Sequence, residues 1–212
     1  MGHCTHQFPF SIKFLLRIIG DKWMLTGFRL KILNREASSP KNKPLKIIKN
    51  LNIENGMVVA DIGSGGGYFA NEFSKKVGPK GKVYAVDVNE KSLDFISDNL
   101  EKKGIKNIEI KLANPYNLDL PGKSVDLFFL RNVFHHLPEP VEYFKNIKKI
   151  LKDNGTIVII DYKKKKFSFT GLFGHYTSKN TLIETMDSAG FSPLENFDFL
   201  QDQLFIIFES KS

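Results

Sequence analysis

The chain has 212 residues, 42% of them hydrophobic and 25% charged, which excludes a disordered chain and suits one well-buried domain rather than two. Its single cysteine, Cys4, excludes an internal disulfide framework and fits a reducing compartment such as the cytoplasm. The net charge of +8 is uneven: residues 1–44 carry eight basic side chains against Asp21 and Glu36, while the rest holds 23 basic and 21 acidic groups. A near-neutral body with a local basic segment argues against a nucleic-acid partner.

Residues 8–33 interleave apolar and basic side chains. On a helix from Ser11 to Gly20, Lys13, Arg17 and Gly20 share one narrow face, so the wide remainder must be buried. Two readings stand: a lid packed over a ligand cleft, or an amphipathic segment in a membrane interface with its basic groups toward anionic lipid. No apolar run reaches the roughly 18 residues of a membrane span, and the order of a secretory signal is missing. Residues 35–44 (REASSPKNKP) read as a polar linker, dividing an extension, 1–44, from a folded domain, 45–212.

Beyond the linker, strands are predicted at 57–61, 82–87, 107–111, 125–130 and 155–161, with helices between them at 67–77, 90–103 and 139–151. A helix at about 178–189 then leads into extended runs at 191–199 and 203–208, joined around Gln201 and Asp202. The alternation predicts an α/β fold: a doubly wound, seven-stranded, mostly parallel Rossmann-like sheet finished by an antiparallel C-terminal hairpin. Right-handed crossovers bring the carboxyl ends of the parallel strands to one rim, where ligands bind.

The first of those ends carries 58-VVADIGSGGGYF-69. A glycine turn between strand and helix lets backbone approach a ligand and presents the helix amino end to it. Glycine loops also serve dinucleotides, but here the spacing is Gly63-x-Gly65-x-Gly67, and Tyr68 stands where the last glycine of that motif belongs. Asp61, two residues before the loop, suits an ammonium better than a pyrophosphate. Asp87 closes the second strand; it reads as a ribose ligand or as a cap for the helix near Glu90.

Together 60-ADIGSGGG-67, 83-VYAVDV-88, 125-VDLFFLRNVFHHL-137 and 150-ILKDNGTIVIID-161 resemble the successive motifs of class I S-adenosylmethionine-dependent methyltransferases, over about residues 45–209. The broad group resembled is the small-molecule set that includes ubiquinone and menaquinone methyltransferases. The resemblance implies an enzyme that moves a methyl group from S-adenosylmethionine to a small-molecule or lipid/quinone-like acceptor, releasing S-adenosylhomocysteine. It implies that Asp61, Gly63, Ser64, Gly65 and Gly67 surround the methionine portion, Asp87 holds the ribose, and Val88 packs on the adenine. Arg131 and Asn132 line the floor. Where the family has an acidic residue near the adenine amino group, this chain has 112-LANPY-116, so Asn114, with Pro115 beside it, takes that place. A cofactor-binding module without turnover and a nucleic-acid methyltransferase remain the alternatives.

Methyl transfer from a sulfonium depends chiefly on alignment, with a base only for some acceptors. His135, His136 and His175 are the candidate bases, although the first two equally suit a packed turn before Pro138. Asp161, Tyr162, His175 and Tyr176 are candidate acceptor contacts, and Asp161 could instead pair with the lysines at 163–166. No metal site is expected, since His3, Cys4 and His6 cluster only at the terminus. The lone cysteine also argues against a thiol-dependent arsenite methyltransferase, which the domain otherwise resembles.

Overall fold

The computed structural model describes residues 27–113, 118–163 and 176–211. β1 (Val58–Ile62) lies between β2 (Lys82–Asp87) and β4 (Val125–Arg131), with β3 (Ile108–Leu112) outside β2 and β5 (Leu151–Tyr162) outside β4, all parallel. β7 (Gln203–Ser210) runs antiparallel between β5 and β6 (Phe191–Asn196), so the order is β3-β2-β1-β4-β5-β7-β6. The seven-stranded sheet with an antiparallel finish is therefore what the chain forms.

Both faces of the sheet are covered, and the strands show why. Successive side chains alternate between two apolar clusters: Ala60, Phe128, Ile157 and Ile206 belong to one, and Val59, Leu127, Phe129, Val158 and Ile207 to the other. The first cluster takes α5 (Pro140–Ile150) and α6 (Lys179–Ser188). The second takes α2 (Pro44–Lys49), α3 (Tyr68–Val77) and α4 (Glu90–Lys103). Phe69 and Phe73 of α3 meet Phe129 with ring centroids 4.9 and 5.0 Å apart, which fixes α3 above the middle of the sheet. Each such side chain contributes about 1.5–3 kcal/mol on burial.

Three boundaries differ from the sequence expectation by three residues or more. β5 begins at Leu151, not 155, because Leu151 is fully buried opposite Val125; the register then shifts, leaving Asp153 and Asn154 exposed. β6 stops at Asn196, because Phe197 and Phe199 turn in to pack on Phe205. Within the polar stretch 35–44, the first three residues finish a helix, α1, at 27–37, and Pro40–Asn42 form a 3-10 turn leading into α2. The helix read from Ser11 to Gly20 lies outside the described residues.

The turn between α3 and β2 is tight. A Cβ at Gly81 would stand 2.6 Å from the Met57 carbonyl oxygen and 2.7 Å from that of Val77, and main-chain atoms have nowhere to move. Gly81→Ala is expected to lower stability by about 1–3 kcal/mol, read as a lower urea midpoint with an unchanged slope.

Candidate functional site

The glycine loop follows β1, and its glycines serve different ends. Gly63, at φ 70°, leaves no room for a side chain because a Cβ would lie 2.4 Å from Val133 Cγ2. Gly67, at φ 81°, precedes α3, and a Cβ there would press on Ile96 at 2.9 Å. Gly66 is met by α1: the Asn34 amide donates to its carbonyl at 2.7 Å, and a Cβ would strike that amide. Gly65 differs. At φ 53° its missing side chain would meet essentially open space, the nearest atom being the Gly63 carbonyl at 4.0 Å. Protein packing explains three bare positions, and a close-approaching ligand suits the fourth.

Two carboxylates border this loop. Asp87, at the end of β2, accepts from the Gly65 N–H at 2.9 Å and from the Asn89 N–H at 2.9 Å. The helix cap of α4 is Asn89, whose side chain accepts from the Lys91 N–H. Asp87 thus ties the loop to the strand, and each of its oxygens keeps a lone pair for a further donor. Val88 beside it is 64% exposed, and Leu112, paired with Asp87 at the end of β3, is 53% exposed. Two bare apolar side chains at one rim suit a flat ring; Leu112 carried no motif and escaped the sequence reading.

Asp61 is buried, and its Oδ2 has no hydrogen-bond partner among the described residues. Burial, and then the nearby Asp87 charge, push its pKa up to about 7, with the Ser64 hydroxyl pulling the other way. Ser64 itself is buried and donates to the Asp61 carbonyl at 2.7 Å.

Arg131, at the end of β4, stands over the Phe69 ring at 5.2 Å, and its Nε has no partner either. Burial lowers its pKa, yet a guanidinium keeps its charge. Asp61 therefore offers an orphaned acceptor and Arg131 an orphaned donor, the complement of an ammonium and a carboxylate.

From Arg131 a polar chain runs across the strand ends to Tyr162. Its Nη2 donates weakly, at 3.4 Å, to Gln203 Oε1; Gln203 Nε2 donates to Asn132 Oδ1 at 2.6 Å; Asn132 Nδ2 donates to the Tyr162 hydroxyl at 3.3 Å. Asn132 sits at φ 58°, a conformation its residue type tolerates. Gln203, buried at the start of β7, is a site residue the sequence reading did not name. Arg131, Tyr162 and Gln203 form one wall of a cleft of about 1290 Å³. Phe28, Lys31, Ile32 and Arg35 of α1 form another.

The remaining candidates are placed apart from that cleft. Asp161 is fully buried and spends its carboxylate on the protein: Oδ1 on His135 Nδ1 at 2.7 Å and the Tyr162 N–H at 2.8 Å, Oδ2 on the His135 N–H at 3.0 Å and Thr177 Oγ1 at 2.9 Å. It stands behind the wall, and the lysines at 164–166 lie outside the described residues. His135 and Tyr176 line a second hollow of about 420 Å³ with Thr177 and Thr181. His136 is exposed, its ring 4.0 Å from that of His135. His175, Asn114 and Pro115 lie outside the described residues. Among the described residues, no group of three or more His, Cys, Asp or Glu could hold a metal, and no helix is long and apolar enough to cross a membrane.

A solved S-adenosylmethionine-dependent methyltransferase from Aquifex aeolicus superimposes with a TM-score of 0.78 at 27% identity, over 86% of this chain and 97% of that one. An arsenite methyltransferase from Halobacterium salinarum is 26% identical over 150 residues, 66% of this chain and 38% of its own length. The ubiquinone/menaquinone biosynthesis C-methyltransferase UbiE of Pseudomonas entomophila is 33% identical over 117 residues, 53% of this chain and 44% of its own. The matches thus span less than half the length of both curated relatives. S-adenosylmethionine is the cofactor that family and fold imply, and the orphaned pair, Gly65 and Asp87 fit its amino-acid and ribose portions. The methyltransferase-domain family matches residues 53–202, and the chain belongs to it.

Proposed function

We propose that this protein transfers the methyl group of S-adenosylmethionine to a small-molecule or lipid-like organic acceptor held in the cleft beside α1. The observation that carries this reading is the pair of buried, unpartnered atoms, Asp61 Oδ2 and Arg131 Nε, at the rim where the glycine loop leaves open backbone. A buried carboxylate oxygen and a buried guanidinium N–H left without partners are costly, and a zwitterion can pair with both.

When bound, the cofactor supplies an activated methyl group on sulfur. The protein's residues do the positioning: Asp61 and Arg131 take the amino-acid end, Asp87 the ribose hydroxyls, Val88 and Leu112 the base. Asn132 sets the Tyr162 hydroxyl, which accepts its amide and keeps its own proton to donate toward the cleft. Burial raises the Tyr162 pKa, with Glu36 adding to it, so the phenol stays neutral. In-line transfer to a good leaving group draws its rate largely from such alignment. Phe28, Ile32, Phe199 and Leu200 make much of the cleft apolar, and Cys4 is the single thiol, which favours an organic acceptor over arsenite.

Calorimetric titration with S-adenosylhomocysteine and with NAD tests the reading. S-adenosylhomocysteine is expected to bind and NAD not. Its affinity is expected to fall as pH drops below about 7, because a protonated Asp61 cannot pair with the ammonium. Preference for NAD would overturn the assignment.

A further inference from the structure

The lining of the cleft says what kind of acceptor it holds, an argument that rests on the methyltransferase reading above. On α1, Phe28 and Ile32 sit one helical turn apart, and Lys31 and Arg35 form a second strip beside them, also one turn apart. Phe28 is 64% exposed and Ile32 47%, although Leu30 on the same helix is buried and Asn34 is anchored on Gly66. Helix α1 is thus fixed by one side while its apolar and basic strips face the cleft. The opposite wall adds Phe199 and Leu200 from the connection between β6 and β7, and Lys41 and Lys43 complete the basic lining. Lys43 is anchored by donating to the Phe199 carbonyl at 2.7 Å.

Charge is unbalanced there. Lys31, Arg35, Lys41, Lys43 and Arg131 face Glu36 and Asp202, and among the described residues Lys31, Arg35 and Lys41 make no ion pair. Like charges one turn apart on a helix repel each other. Water screens that repulsion in an open cleft, but a bound anion relieves it and shares two donors at once. Arg131, which also lines the cleft, is the one of these cations assigned to the cofactor's carboxylate, and Lys31 and Arg35 are left for a second anion.

We propose that the cleft takes an acceptor with an apolar body and an acidic group, the acid against Lys31 and Arg35 and the body against Phe28, Ile32 and Leu200. Decanoate, decanol and decylamine, titrated below their micelle concentrations into protein saturated with S-adenosylhomocysteine, test it. Decanoate is expected to bind about tenfold more tightly than decanol, and decylamine most weakly, with the preference shrinking as salt is added. The double variant Lys31→Gln, Arg35→Gln is expected to lose that preference while binding S-adenosylhomocysteine as before.

Equal affinity for decanoate and decanol, or an unchanged preference in the double variant, would overturn the proposal. So would binding to phosphatidylglycerol vesicles without binding to decanoate, which would make the two strips a bilayer contact. Failure to bind S-adenosylhomocysteine in the first titration would instead remove the methyltransferase reading, so the two failures are told apart.

Discussion

The Asp61→Asn variant is expected to lose about a hundredfold in affinity for S-adenosylhomocysteine and yet melt at a higher temperature than the parent near pH 8. Both effects come from one buried atom. In the free protein Asp61 Oδ2 has no partner, and burial raises the pKa from its ordinary 3.8 to about 7. The folded state therefore holds this proton more tightly than the unfolded chain does, and stability declines as pH rises from about 4 to about 7. Above that range the folded protein carries a buried, uncompensated charge, and a neutral amide of the same shape removes a cost of about 1–4 kcal/mol.

The same amide can accept from an ammonium through its oxygen but brings no opposing charge. The lost charge-assisted bond costs roughly 3 kcal/mol of binding, which sets the hundredfold. Calorimetry reads the affinity and thermal melts at two pH values read the stability. A variant that binds as well as the parent would remove Asp61 from the site. A gain as large near pH 4 as near pH 8 would show that it does not come from ionisation.

Asp161→Ala is expected to be the most destabilising single change at the rim, by about 3–5 kcal/mol. The carboxylate is fully buried and engages two backbone N–H groups, the Thr177 hydroxyl and the His135 ring. Truncation leaves all four without their acceptor. They belong to the turn after β4, the end of β5 and the segment entering α6, so three connections lose a common anchor. For a chain of this size the cost corresponds to a melting point lower by roughly 6–20 °C. Asp161→Asn, which keeps two acceptor lone pairs, is expected to recover part of the loss. An alanine variant as stable as the parent would contradict this account.

The fold was legible because each of its layers has a period. Strand runs such as 82–87 and helices such as 90–103 are written in apolar spacing, and the structure places both at those bounds. Asp61 and the loop around Gly65 were legible because they lie together on one strand–turn–helix unit, and Asp87 because it closes the strand that follows.

What stayed hidden depends on contacts between distant positions. Asp161 and His135 are 26 residues apart, and nothing in either segment announces that a carboxylate at the end of β5 will hold the turn after β4. Gln203 reads as the start of an ordinary strand, and only the sheet order sets it beside Asn132. Asn34 lies in a stretch with basic and apolar neighbours, and its use as a clasp on Gly66 follows from tertiary packing. The early start of β5 was missed because Lys152, Asp153 and Asn154 look like a turn; a buried leucine at 151 outweighs them.

The position of β7 between β5 and β6 has a consequence for how the protein is made. Every other strand of the sheet precedes β7 in the chain, and this last one fills an interior slot through seven paired residues on β5. That slot cannot close until residue 210 has been made, so between the completion of β5 and that point the nascent chain carries an open, apolar sheet edge. Gln203 arrives with the same strand, so Arg131 and Asn132 gain their neighbour only at this stage.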